Sequence, residues 1–510
     1  MRKLKKVLFF IFSMFALLTV LFTIGVLWPV PAIDPAYTQS RPIIISNISV
    51  LDIDTGKFIP NQTVAVKDSK ISLIGDNDVN TSLNDGVIVD GKNKFLIPAF
   101  WDMHTHVFKF NEILDMPLYI RYGVTNVRDM TSCPKKGDPV AACPEQFKQW
   151  TQDALRGKII GPRIQGTTSW QANGPSIHKK MKGVPEYFGT ATPEQARQFV
   201  QHYAGKVDAI KVYNYIPKNS YFALVDEAKK VGLDVIGHRP HAISAVEAAT
   251  HQKSIEHARF ILHDSFSGSE SLRKDAQIKG QWKEDRRRMI DEHQAHKALE
   301  IFAAMKKHNT WYVPTHLTRK VDAYADDPII LEDPNLRYLH PLIKFQWKED
   351  LDKVISKNPS PEARQTYKDF YYKGLELTGL AHKAGVKTLV GTDYNVSGAT
   401  IHSEMEEFIV AGISPIDTIR AATTLPAEYF GLQDQYGKVK EGMYADLLVL
   451  NKNPLTDIRN TRSIEAVIFN GNLYDKAHLE RISETVEKRA KSWSIACKLI
   501  WRLIKSPVNY

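Results

Sequence analysis

Residues 97–108 read IPAFWDMHTHVF. An apolar run ends in His104-Thr105-His106. In an extended strand, residues i and i+2 face the same side, so both imidazoles can reach one ion. On either side of this run the hydrophobic period changes. Before it, residues 41–96 carry β-branched runs such as RPIIISNISVLDIDTG and QTVAVKDSKISLIGD, broken by Gly, Asn and Asp, and read as all-β. After it, short apolar strands alternate with amphipathic helices, the pattern of βα units around a parallel sheet. Eight candidate strands follow, near 97–104, 123–129, 163–169, 208–213, 233–238, 254–258, 311–316 and 387–393. Thr192-Pro193 with Gln195, and Ser414-Pro415 with Asp417, mark two helix starts. The expected α/β fold is a (β/α)8 TIM-like barrel over 97–432. Helical insertions near 259–310 and 317–386 are expected over its mouth. Residues 433–475 turn strand-like again, and the available partner is 41–96. One small composite β-sandwich from both flanks is therefore expected.

The chemistry sits at the ends of those strands. Strand four carries Lys211, strand five ends in His238, strand six in His257 and strand eight in Asp393. Each alone has an ordinary reading: a solvated lysine, or a satisfied polar histidine. Jointly, four His, one Lys and one Asp at the ends of five strands predict a metal site at the C-terminal mouth, where barrel chemistry occurs. Nitrogen and oxygen ligands of this kind suit Zn²⁺ or a neighbouring divalent ion. Tyr213, Tyr215, Arg239 and His241 are candidate substrate contacts at the mouth. His316, at the end of strand seven, is a candidate to face the pocket. Arg128 and Asp129 read as a structural pair at the rim, and His402 and Glu404 as helix-start residues.

The run IPAFWDMHTHVF, with IKVY, VIGH, SIEHA, VGTD and EGMYADLLVLNKNPL, resembles the amidohydrolase superfamily, and within it the imidazolonepropionase-like and Xaa-Pro-dipeptidase-like group. The resemblance spans about residues 41–475. It implies a metallo-(β/α)8 barrel in which His104, His106 and Asp393 hold one metal and His238 and His257 a second. Lys211 falls where binuclear members carry a carboxylated lysine bridging two ions, here two Zn²⁺. A bare ammonium beside two dications would be repelled, whereas a carbamate can bridge them. Asp393 is then the catalytic proton carrier. A single metal on His104, His106, His238 and Asp393 is the alternative. The implied reaction is hydrolysis of an amide bond in a small molecule or short peptide. Cyclic amides, lactones or esters at the same site are an alternative, and a non-catalytic barrel that only binds its ligand is a second. One departure stands out: many members read H-x-H-G after strand five, whereas this chain reads GHRPHAIS, with His241 one position late.

Composition and charge bound the rest. Hydrophobic residues make up 43% and charged residues 24%, which excludes a disordered chain and a multi-span transporter. The net charge is +10, but MRKLKK supplies +4 and residues 488–505 supply +6, leaving the centre neutral. That distribution points to membrane surfaces rather than nucleic acid. Residues 7–28 are free of charge, long enough to span a bilayer. Residues 1–31 are thus expected to be an uncleaved anchor, with a cleaved signal as the alternative. Lysines before the span place the catalytic part outside the cytoplasm, periplasmic in a bacterium. Residues 476–510 form a basic amphipathic tail that either lies in a membrane interface or docks on the body. Cys133 and Cys143, in SCPKKGDPVAACPE, are a disulfide pair in an oxidising compartment or else two free thiols. The sequence carries no signal of oligomeric state.

Overall fold

The computed structural model describes residues 2–30, 32–33, 41–76, 85–175, 181–280 and 282–506. Residues 1 and 31 of the expected anchor, 77–84 of the first β segment, 176–180 and 281 of the expected barrel, and 507–510 of the tail lie outside the described residues, as do 34–40.

Arg2–Leu27 is one helix, apolar and long enough to cross a membrane, and exposed along nearly its whole length. After it come β1 (Ile43–Asp52), β2 (Lys57–Lys67), β3 (Lys70–Asp76), β4 (Val87–Asp90) and β5 (Phe95–Pro98). The parallel strands are β6 (Phe100–Thr105), β7 (Val124–Asp129), β8 (Arg163–Gly166), β9 (Ala209–Val212), β10 (Asp234–Gly237), β11 (Ser254–Glu256) and β12 (Trp311–Val313). The chain then adds β13 (Leu447–Leu450), β14 (Ile464–Phe469) and β15 (Asn472–Asp475).

Both flanks join in one eight-stranded sheet, ordered β15-β14-β13-β5-β1-β2-β3, with β4 beside β1. The expected sandwich is therefore a single hydrogen-bonded sheet. Its seam is β5, parallel to β1 and antiparallel to β13. Ile43, Ile45, Ile48 and Val50 alternate inward from β1 and pack with Leu447, Val449 and Ile468. Phe95–Pro98 thus belongs to this sheet and not to the first parallel strand, which begins at Phe100.

The parallel strands form two sheets, β6-β7-β8 and β9-β10-β11-β12. A bridge between Thr168 and Ala209 links them. The expected eighth strand, 387–393, makes no ladder. It holds one bridge, Tyr312 to Thr388, and backbone bonds on its other side from Met103 N to Val390 O and from Asp393 N to His104 O. Gly391 and the left-handed Asp393 (φ 46°) end its extended run. A Cβ at Gly391 would lie 2.8 Å from the Cβ of His104, so only glycine lets this segment approach.

Helices cover the strands and fill 259–310 and 317–386. Two start as the sequence signals predict: the Thr192 side chain accepts from Gln195 N, and Ser414 from Asp417 N. Strand β12 is shorter than expected. Pro314 has no N–H to extend a ladder, Thr315 is left-handed (φ 46°), and a helix begins at His316.

Candidate metal centre

His104 sits on β6 and His106 just beyond it. Asp102, two residues before His104, ties this strand to the 387–393 segment: Thr392 donates to Asp102 through both its backbone N and its Oγ1. Gly237 (φ 119°) precedes His238, and a Cβ there would lie 2.5 Å from the carbonyl oxygen of Val212. His257 and Asp393 both hold left-handed backbone (φ 71° and 46°). Non-glycine residues adopt such conformations at a cost, and they cluster at functional sites.

These residues meet in a cavity of about 490 Å³, lined by His104, His106, Lys211, His238, His257 and Asp393 together with aromatic side chains. Asp393 Oδ1 lies 3.2 Å from His106 Nε2 and 3.7 Å from His104 Nε2, and its Oδ2 lies 3.7 Å from His257 Nδ1. His257 Nε2 is 2.9 Å from His238 Nε2. Ligand atoms of His104, His257 and Asp393 all fall within 4.8 Å of one another.

Every imidazole is tethered from behind. His104 Nδ1 meets Glu256 Oε2 at 2.8 Å, His106 Nδ1 meets Thr131 Oγ1 at 2.5 Å, His238 Nδ1 meets Asn214 Oδ1 at 2.7 Å and His257 Nδ1 meets Thr315 Oγ1 at 2.7 Å. Carboxylate and amide oxygens only accept, so His104 and His238 carry their protons on Nδ1 and keep a lone pair on Nε2. Such partners orient and fix the tautomer of metal-binding histidines. His104 Nε2 is buried with no hydrogen-bond partner. Burial also pushes His106 down to about 4 and His238 and His257 well below their ordinary value. They are neutral near pH 7, the form that ligates. The donor set fits a divalent ion. Lys211 is buried on β9, its ammonium 5.7 Å from the ring centre of Tyr213. Burial lowers it to about 8, opposed by Asp393 and Asp129.

Four sequence candidates lie elsewhere. Tyr213 lines the cavity and stacks on His238 at 3.7 Å, but Tyr215 is turned off the wall against His241. Arg239 is buried, donating to Ile243 O and Pro240 O beneath Trp282. His241 stacks on Trp282 at 4.1 Å. The shifted GHRPHAIS motif thus builds loop packing rather than cavity wall. His316 begins a helix behind the site against Phe408, because the chain turns at Thr315. Arg128 does not pair with Asp129; it donates to both oxygens of Glu256. Glu404 accepts from the backbone N of His316 and Leu317 and so caps a helix other than its own.

Sequence reasoning missed Glu256, Thr131, Asn214, Thr315, and the cavity arginines Arg259 and Arg319. The one visible signal was the acid in SIEHA, a charge inside a short, otherwise apolar strand.

The Amidohydrolase family model matches residues 95–474, well over half of the chain. The chain belongs to the amidohydrolase family. Over 88 residues this amidohydrolase is 35% identical to ochratoxinase of Aspergillus niger, a match covering 17% of this chain and 18% of the fungal protein. The chain therefore spans under a fifth of that relative's length. The crystal structure of a Xaa-Pro dipeptidase with bound methionine aligns at a TM-score of 0.59 and 18% identity, over 85% of this chain and 100% of that one. Bottromycin amidohydrolase aligns at 0.67 and 18% identity, over 89% and 92%. At such identities the likeness is one of fold. Family membership supports hydrolysis of an amide bond.

Proposed function

We propose that this chain is a metal-dependent amide hydrolase, held outside the cytoplasm by an uncleaved N-terminal anchor and acting on a small molecule or short peptide that bears a carboxylate. The observation that carries this reading is the tethering of four imidazoles that line one cavity with Asp393 and Lys211, His104 Nε2 and His106 Nε2 facing Asp393 and His238 Nε2 facing His257 Nε2. The scaffold in this reading is a (β/α)8 barrel, which two links support. The Thr168–Ala209 bridge joins its two sheets, and the 387–393 segment joins β12 to β6. His104, His106 and Asp393 would hold one divalent ion, and His238 and His257 a second, with carboxylated Lys211 between them. Such ions, when bound, acidify a water and polarise a carbonyl.

The chain's own residues do the rest. Burial pushes the Asp393 carboxyl up, but the hydrogen bond from His106 helps to hold it well below the usual range. It is ionised at rest and takes a proton at its carboxylate from the attacking water. It then gives that proton to the amine nitrogen as the C–N bond breaks and the new C–O bond is kept. Arg259 and Arg319 on the cavity wall suit a substrate carboxylate. Arg319 pairs with Asp322 at 2.8 Å, whereas Arg259 makes no ion pair among the described residues and its buried Nε has no hydrogen-bond partner. Export agrees with the lysines before the apolar helix and with the Cys133–Cys143 disulfide.

Asp393→Asn tests the reading. Turnover of a dipeptide or N-acyl amino acid should fall by about 10²–10⁴-fold with the circular dichroism spectrum unchanged. Activity retained within about tenfold contradicts the proton-carrier role.

A further inference from the structure

The C-terminal helix, Trp493–Lys505, packs on the last turns of the apolar N-terminal helix. Phe22 meets Trp501 edge-on at 6.4 Å, and Lys498 Nζ donates to Val26 O. Gly25 permits the close approach: a Cβ there would lie 2.5 Å from the Trp493 ring. On its inner face, Ile495 and Leu499 join Leu114 and Ala490 in a buried cluster. Val30, just past the apolar helix, packs on the same cluster, as do Phe110 and Ile343.

Phe110 and Ile343 also line the catalytic cavity. Within it, His106 stacks on Phe108 at 6.4 Å and Phe108 on Phe110 at 5.3 Å, with interplanar angles of 17° and 16°. A chain of apolar contacts therefore runs from the His106 imidazole, over two parallel phenyl rings that line the cavity, through the buried Leu114–Leu499 cluster to Val30, just past the apolar helix. Trp493 and Trp501 stay partly exposed where they flank the N-terminal helix, and Leu503 and Ile504 are exposed beside them. Lys498, Arg502 and Lys505 lie among them, with no acid in the helix. An apolar stripe with tryptophans and interspersed cations fits the interface of an anionic bilayer. Arg259 and Arg319 stand on the cavity wall as the polar counterpart of this path.

We infer that the catalytic cavity is fed from the membrane, and that its substrate is an amphiphilic amide, a long-chain N-acyl amino acid whose acyl chain lies along Phe108, Phe110 and Ile343 and whose carboxylate faces Arg259 and Arg319. This rests on the amide-hydrolase reading and on the anchor, and goes beyond both.

The test uses the full chain in lipid nanodiscs of phosphatidylcholine with a minority of phosphatidylglycerol. The probes are N-acetylphenylalanine, N-dodecanoylphenylalanine, and the dodecanoyl compound with a diazirine at its chain end. The expected kcat/KM is at least about tenfold higher for the dodecanoyl amide, and photolabelling maps to Phe108, Phe110 or Ile343. In Phe110→Ser the chain-length preference should collapse. Hydrolysis of the acetyl compound with equal or better kcat/KM overturns the inference and leaves the hydrolase reading standing. If neither amide is cleaved, the hydrolase reading falls and the inference falls with it.

Discussion

The carboxylate of Glu256 joins the candidate metal centre to buried Arg128 on β7. Its Oε2 accepts from His104 Nδ1 and Arg128 Nη2, both at 2.8 Å, and its Oε1 accepts from Ser254 Oγ. Burial pushes this carboxyl up, but Arg128 and His104 outweigh it and hold it below its ordinary value. One residue therefore fixes the tautomer of His104 and neutralises the buried guanidinium of Arg128. Glu256→Gln should weaken metal binding by about 10–100-fold and cost about 3–5 kcal/mol by leaving Arg128 uncompensated. Metal titration and urea unfolding check the two halves, and wild-type values in both contradict the assignment. His316 makes a separate prediction. It is buried, both ring nitrogens lack a hydrogen-bond partner, and burial pushes its imidazole down to about 3. The folded value lies below the unfolded one, so this contribution is fully present above about 6.5 and is lost as pH falls towards 3. Between pH 7 and 5 the wild type should lose about 2 kcal/mol of unfolding free energy that His316→Leu does not. Parallel pH profiles for the two proteins contradict this.

Among the elements, the loop closed by Cys133 and Cys143 braces the segment that follows His106. Lys109 N donates to Val140 O at 2.9 Å, Phe108 bridges to Ala141, and Cys133 O accepts from Tyr203 Oη. Replacing both cysteines with serine should lower unfolding free energy by about 2–4 kcal/mol. An unchanged urea midpoint, in the variant or in wild type under reductant, contradicts a bracing role. The alternation of strands and helices was legible because apolar runs and capping residues are local signals. The boundary at Ala99 was not. Phe95–Pro98 and Phe100–Thr105 read as one apolar run, and only pairing with β1 and β13 assigns the first part to the flanking sheet. His316 was misplaced for a related reason. Periodicity does not register a turn set by Pro314 and the left-handed Thr315.

On the scale of the whole molecule, His104, His106, Lys211, His238, His257 and Asp393 were legible as one group because each lies in or just after a short apolar run, and the structure brings all six to one cavity. Their tethers were not, since Thr131, Asn214 and Thr315 are ordinary loop residues until the fold aims them. The aromatic path was equally hidden. It joins residues near 30, 110, 343 and 495, and no local pattern connects such distant segments. Basic charge at both ends was legible; the structure packs the C-terminal helix on the last turns of the N-terminal helix, at the end away from Arg2, Lys3, Lys5 and Lys6. The central claim is that the converging imidazoles, Lys211 and Asp393 hold a pair of divalent ions. The measurement that tests it most directly is metal content per chain, by elemental analysis of the full chain purified in detergent without chelator and in bicarbonate. The account predicts two equivalents, falling to one or fewer in Lys211→Ala. One equivalent in wild type contradicts the bridged pair, and none after reconstitution contradicts the metal centre itself.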